Sequence, residues 1–349
     1  MTKARKIAYG SILGLIAVLF VLGGIFDLAI AERVYQPDNF MAKLFESVGI
    51  FPPFLFVACT FTVLFFLVRF EDKYRVLKQV LCVIAVIIAY FIFAYMASEV
   101  YFEDFAWRMI VTVTAALSFT ALSFIFFRNV PREKFRKLAV FLIFASIVSL
   151  ISSLLTVHTL KYFWGRPRYR ELVEEGLAAF TPWYKINGFS LHGHHSFPSG
   201  HTCSATNLLV FLALEEVFPE VASRKKTIAL VVGMYIFTMA YSRLVMGAHF
   251  LSDVTAGFFI GFITYAVARY IYFDKSRAVV TAIMKSEESG ETLSQESEEQ
   301  ITETTEPVES GREEIEIPLG EDALPAVERS SEETPSAAED APSSESRAE

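Results

Sequence analysis

Three short stretches of this 349-residue chain concentrate side chains that can bind an anion and move protons. The first is Lys161-Tyr162-Phe163-Trp164-Gly165-Arg166-Pro167-Arg168-Tyr169-Arg170. Lysine supplies a compact point charge, and arginine a planar fork that matches phosphate oxygens. Alone, this stretch also fits a basic anchor at the end of a membrane helix. The second stretch is Phe197-Pro198-Ser199-Gly200-His201-Thr202. Proline followed by a small polar residue suits a helix start, whose free N–H groups and dipole favour an anion. His201 would then stand beside that anion as a proton donor; a plain helix cap with a solvent-facing histidine is the alternative. The third runs from Ser242-Arg243 to His249-Phe250-Leu251-Ser252-Asp253. His249 and Asp253 are i and i+4, neighbours on one face if the stretch is helical. A carboxylate on one imidazole nitrogen fixes the tautomer and leaves the other nitrogen free to attack. Arg243 is suited to hold the group under attack. An ordinary His–Asp pair on a helix surface is the competing reading.

The elements that position these residues are membrane spans. The chain is 53% hydrophobic and 15% aromatic with mean hydropathy +0.42, beyond the range of ordinary soluble proteins of this size. Its apolar residues fall into eight segments, at roughly 8–30, 51–68, 79–97, 109–127, 138–158, 201–217, 227–241 and 254–273. Lys and Arg collect in alternate connections, at Arg69–Lys78, Arg128–Lys137 and Arg224–Lys226, and near both ends of the membrane part. By the positive-inside rule both termini are cytoplasmic. The connection from about Thr159 to Pro198 then lies outside despite carrying Lys161, Arg166, Arg168, Arg170 and Lys185. Cations placed against the bias suggest anion binding, with a headgroup-touching collar as the other reading. The same alternation puts all three stretches on one side, where a random arrangement would scatter them.

Charge divides the chain. Residues 286–349 hold 21 Asp and Glu against 3 Arg, net −18, which leaves the remainder at +10. That acidic tail has too few large apolar residues to offset its conformational entropy and is expected to be disordered. Cys59, Cys82 and Cys203 sit in or beside apolar runs at no paired spacing and read as small core residues. The first span is long and has no small-residue cleavage pattern, so it is expected to remain as an anchor.

Taken together the three stretches resemble the type 2 phosphatidic acid phosphatase superfamily, which includes glucose-6-phosphatase and the vanadium haloperoxidases. Its signature is Lys, six residues, Arg-Pro; then Pro-Ser-Gly-His; then Ser-Arg, five residues, His, three residues, Asp. The second part is present as Pro198-Ser199-Gly200-His201, and the third as Ser242-Arg243 with His249 and Asp253. The first keeps Lys161 and Arg168 in register but has Tyr169 for proline, while Arg166-Pro167 offers an Arg-Pro at the wrong spacing. The resemblance covers roughly residues 79–273. It implies that His249 attacks phosphorus, that Asp253 orients His249, and that His201 protonates the leaving group and then activates water. It also implies that Lys161, Arg168, Arg243 and the backbone at Ser199 and Gly200 hold the phosphate, with Arg166 as a second candidate ligand. No metal or other cofactor is called for, and His192-Gly193-His194-His195 matches no common zinc spacing.

The expected architecture is therefore an all-α polytopic bundle. Residues 1–78 supply two additional spans, 79–278 a six-span phosphatase core, and 279–349 a disordered cytoplasmic tail. Asp27 is expected near the outer end of its span, and His158 as an interfacial polar residue. The expected activity is hydrolysis of a lipid phosphate or diphosphate, of the phosphatidate, phosphatidylglycerol phosphate or polyprenyl diphosphate class, in a bacterial plasma membrane. A phosphotransferase with an alcohol acceptor, or a catalytically dead binding protein, would use the same frame. The expected partners are the lipid substrate, the bilayer and a cytoplasmic partner for the tail, with no nucleic acid.

Overall fold

The computed structural model describes residues 3–190 and 193–276; the acidic tail and His192 lie outside the described residues. The described chain is helical, with one isolated bridge between Arg166 and His195. Helices α1 (Lys3–Val34), α2 (Phe40–Val48), α3 (Phe51–Leu67), α4 (Arg75–Ser98) and α5 (Phe105–Phe127) fill the N-terminal half. Helix α6 (Arg132–Ser149) continues through a π-helical run, Leu150–Val157, into α7 (His158–Trp164). The short α8 (Tyr169–Glu175) precedes α9 (Gly200–Thr206), which passes into a 3-10 run, Asn207–Glu216. Helices α10 (Lys225–Val245) and α11 (Leu251–Arg269) close the bundle.

Local chemistry accounts for the boundaries. Asn39 caps α2 by accepting from the Ala42 N–H at 3.0 Å, and Asp104 caps α5 from Trp107 at 3.0 Å. Pro52 and Pro53 lie in the first turn of α3, where a missing N–H costs nothing. Gly165 ends α7 in the left-handed region at φ 58°.

Among the described residues, seven helical stretches are long and apolar enough to cross a membrane, the second of them formed by α2 and α3 together. The eighth expected span, 201–217, differs from the others. Its winding tightens at Asn207, whose side chain accepts from Ser152 at 2.7 Å and donates to Ser153 at 2.9 Å in the π run. A 3-10 run rises about 2.0 Å per residue, so these 17 residues reach about 30 Å, enough for the hydrocarbon core.

The main core lies where α3, α6 and α11 meet the 3-10 run, around Phe56, Phe141, Phe144, Val148, Val210 and Tyr265. Hydroxyl pairs join helices inside the apolar zone: Thr60 with Ser146 at 2.9 Å and Tyr90 with Ser123 at 2.6 Å. Helix α1 packs along α11, burying only Ile16, Gly23, Asp27 and Ala31.

Candidate active site

Four helix ends converge on one end of the bundle. Lys161 stands on α7, His201 at the start of α9, Arg243 in the last turn of α10, and Asp253 in the first turn of α11. Lys161, Arg168, Gly200, His201, Arg243 and His249 line a single cavity of about 630 Å³. The rest of its wall is mostly apolar, formed by Pro53, Phe54 and Val57 of α3, by Ala85, Ile88, Ala89, Ile92 and Met96 of α4, and by Leu150 and Leu154 of the π run, with the hydroxyls of Ser149, Ser153 and Ser204 among them. The α4 residues recur at helical spacing and so form one stripe.

His249 is not on the helix that the i,i+4 spacing suggested. Residues 246–250 form a turn, and α11 begins only at Leu251. The His249 Nδ1–H donates to the Ser196 carbonyl at 2.6 Å, while Asp253 Oδ2 is 3.8 Å away. The tautomer is therefore set by a backbone carbonyl, which leaves Nε2 with its lone pair. Asp253 acts one step back. Its Oδ2 accepts from Ser196 Oγ at 2.6 Å and from the Phe250 N–H at 2.7 Å, so the same carboxylate braces the loop and caps α11. Burial pushes the His249 imidazole down to about 3, with the nearby Asp253 carboxylate opposing and the charge of Lys161 assisting. The imidazole is neutral at ordinary pH.

His201 Nε2–H donates to the Glu46 carbonyl at 2.9 Å, leaving Nδ1 as the nitrogen able to exchange a proton. The Arg243 Nη2–H donates to the Ala42 carbonyl at 2.7 Å; Nη1 stands 3.6 Å from Glu46 and is a buried donor with no hydrogen-bond partner. The Nε–H of Arg168, 3.8 Å from Glu171 Oε1, is a second donor with no hydrogen bond. Unpaired buried guanidinium donors are costly unless a ligand completes them. Lys161 Nζ donates to the His195 carbonyl at 2.7 Å.

Two of the residues expected to touch phosphate stand away from the cavity. Arg166 does not line the cavity. It is fully buried and engages all three guanidinium nitrogens on protein: Thr181 O at 2.9 Å, Ser252 Oγ at 2.9 Å, Asp253 Oδ1 at 2.5 Å and Asp27 Oδ2 at 2.9 Å. Ser199 is fully buried too; its N–H donates to the Asp253 carbonyl at 3.0 Å and its hydroxyl caps α9. Of the Ser199–Gly200 pair, only Gly200 reaches the cavity. Of the two arginines, Arg168, at the distance kept from Lys161, is the one that lines the cavity. Tyr169 stands at the first position of α8, a site where proline is favoured for its preset φ but is not required.

Sequence reasoning missed Glu46, named Arg170 only among the cations of the outer connection and gave His158 only an interfacial place; all three line the cavity. Glu46 is 3.3 Å from Arg170 as well. It sits on α2, a short helix whose length gave no span signal. His194 Nδ1 is 3.3 Å from Glu171, and His195 Nε2 is 2.9 Å from the Ser190 carbonyl.

Residues 142–277, from within α6 onward, match the PAP2 superfamily. A stretch of 102 residues is 28% identical to phosphatidylglycerophosphatase B of Bacillus subtilis, covering 29% of this chain. The chain spans about half the length of that relative, 47% of it. No solved structure matches.

Proposed function

We propose that the protein is a lipid phosphate phosphatase acting through a phosphohistidine. The observation that carries this reading is the single cavity that joins cations and three histidines to a largely apolar wall. A phosphate ester on an acyl or prenyl chain has the same division. The PAP2 match and the phosphatidylglycerophosphatase relative support the same class.

In this reading Lys161, Arg168 and Arg243 neutralise the phosphate oxygens, the two unpaired guanidinium donors finding partners there. His249 Nε2 forms the N–P bond as the P–O bond to the lipid breaks; the bound phosphate monoanion first passes its proton to His201 Nδ1, which delivers it to the departing oxygen. His201 then takes a proton from water as that water attacks phosphorus and the N–P bond breaks. Three cations at one phosphate supply the charge stabilisation without a metal. The site lies at the bundle end away from the basic connections at Arg69–Lys78 and Arg128–Lys137, which supports an extracytoplasmic face with cytoplasmic termini.

The test is phosphate release by purified protein from phosphatidate, phosphatidylglycerol phosphate and an undecaprenyl diphosphate, with chelator present and with and without an added alcohol. Free phosphate from at least one lipid supports hydrolysis. A phosphorylated alcohol in its place would make the enzyme a phosphotransferase, and no turnover of any lipid would refute the reading.

A further inference from the structure

Asp27 of α1 lies outside the PAP2 match and 225 residues from Ser252, yet it is only 2% exposed and is bonded into the buried face behind His249. Its Oδ1 accepts from the Ser252 N–H at 2.9 Å; its Oδ2 accepts from Arg166 Nη2 at 2.9 Å and from the Ser252 hydroxyl. The other arm of the Arg166 fork holds Asp253 Oδ1 at 2.5 Å, and Phe250 covers the guanidinium at 4.3 Å. Arg166 therefore bridges two carboxylates, one on α1 and one on α11. Two carboxylates against one guanidinium leave one negative charge buried behind His249.

We propose that Asp27 is a positioning residue for catalysis, acting through Arg166 and Ser252 on Asp253 and so on His249; this rests on the phosphohistidine reading above. It holds the Arg166 fork so that Asp253 Oδ2 stays directed at Ser196 and the His249 loop. The surplus negative charge favours the imidazole as it becomes cationic on forming the N–P bond. Gly23 makes the approach possible. A β-carbon there would stand 2.8 Å from Ser252 Cβ, so any other residue would push α1, and Asp27 with it, away from α11. The first span thereby becomes part of the catalytic apparatus.

The experiment uses the full chain in detergent, with the lipid phosphate that the wild type hydrolyses fastest. Asp27→Asn, Asp27→Glu and Gly23→Ala are compared with the exposed Glu32→Gln on the same helix and with His249→Ala. Asp27→Asn is expected to lower kcat about 10- to 100-fold with KM nearly unchanged, since it touches no substrate. Asp27→Glu, which keeps the charge, should recover part of that loss; Gly23→Ala should lower kcat with the charge intact. Glu32→Gln should match wild type. The double variant Asp27→Asn/Arg166→Gln should lose no more than Arg166→Gln alone, because both act along one path. Folded Asp27→Asn with wild-type kcat, a loss confined to KM, or additive losses would overturn the proposal. Failure of both Asp27 variants to fold would make Asp27 a residue of the fold alone and overturn it equally. Turnover by His249→Ala would instead remove the nucleophile reading, a result distinct from any of these.

Discussion

Gly257 of α11 lies so close to Ser199 that a β-carbon at that glycine would stand 2.3 Å from the Ser199 carbonyl oxygen. The contact sits one turn beyond Asp253, whose own carbonyl accepts the Ser199 N–H, so it sets the distance between the His201 and His249 halves of the site. Gly257→Ala should therefore separate the halves. We expect about 1–3 kcal/mol of lost stability and a larger proportional loss of kcat, measured by thermal unfolding and phosphate release on the same preparation. Wild-type turnover from this variant would show that the spacing is not critical.

His249→Ala should abolish turnover while the protein still reaches the membrane folded. The imidazole makes one hydrogen bond, to a backbone carbonyl, so its removal leaves little unsatisfied except the Ser196 oxygen. Phosphate release near the wild-type rate would exclude His249 as nucleophile.

The His249 imidazole should remain neutral from pH 8 to pH 5. Its folded value of about 3 lies below the unfolded value of about 6.5, so between these limits the unfolded chain binds the extra proton. This group therefore weakens the fold as pH falls from about 6.5 toward 3 and has no effect above that window. Nitrogen chemical shifts of a selectively labelled sample would test it; an imidazolium signature at pH 6 in the unliganded enzyme would contradict the assignment.

Arg168→Ala and Arg166→Gln should fail in different ways. Arg168 lines the cavity with an unpaired donor, so its loss should lower kcat/KM by about 10²–10³ with the fold intact, by analogy with removal of an oxyanion donor. Arg166 bridges two buried carboxylates, so its loss should lower the unfolding temperature markedly. Phosphate release and thermal unfolding on both variants separate the outcomes, and equal unfolding temperatures would argue against the distinction.

Sidedness can be read with an impermeant thiol reagent on intact cells. Ile186 is 60% exposed in the site-side loop, and Glu71 lies exposed in the opposite connection. Ile186→Cys should label and Glu71→Cys should not. Ile186 is preferable to the neighbouring Gly188, whose φ of 105° strains any side chain. The reverse labelling would invert the topology.

Composition was enough to locate the helical spans, seven of which are long and apolar enough among the described residues, because runs of apolar residues near 20 long have few other uses; motif spacing located the three stretches that meet at the cavity. It also favoured Arg168 over Arg166 through the distance kept from Lys161. Each of these is information about neighbours along the chain. Contacts across helices were decided only by the tertiary structure. The spacing of His249 and Asp253 suggested a direct pair on one helix face, but His249 lies in the turn before α11, 3.8 Å from the carboxylate, and its Nδ1–H goes to a backbone carbonyl. Ser199 looked like an anion donor until α11 supplied the acceptor for its N–H. Asp27 and Glu46 carried no local signal, since their partners Arg166 and Arg243 lie well over 100 residues away. Linear spacing records which residues share a helix face; only packing brings one helix end to another and decides where each polar group finds its partner.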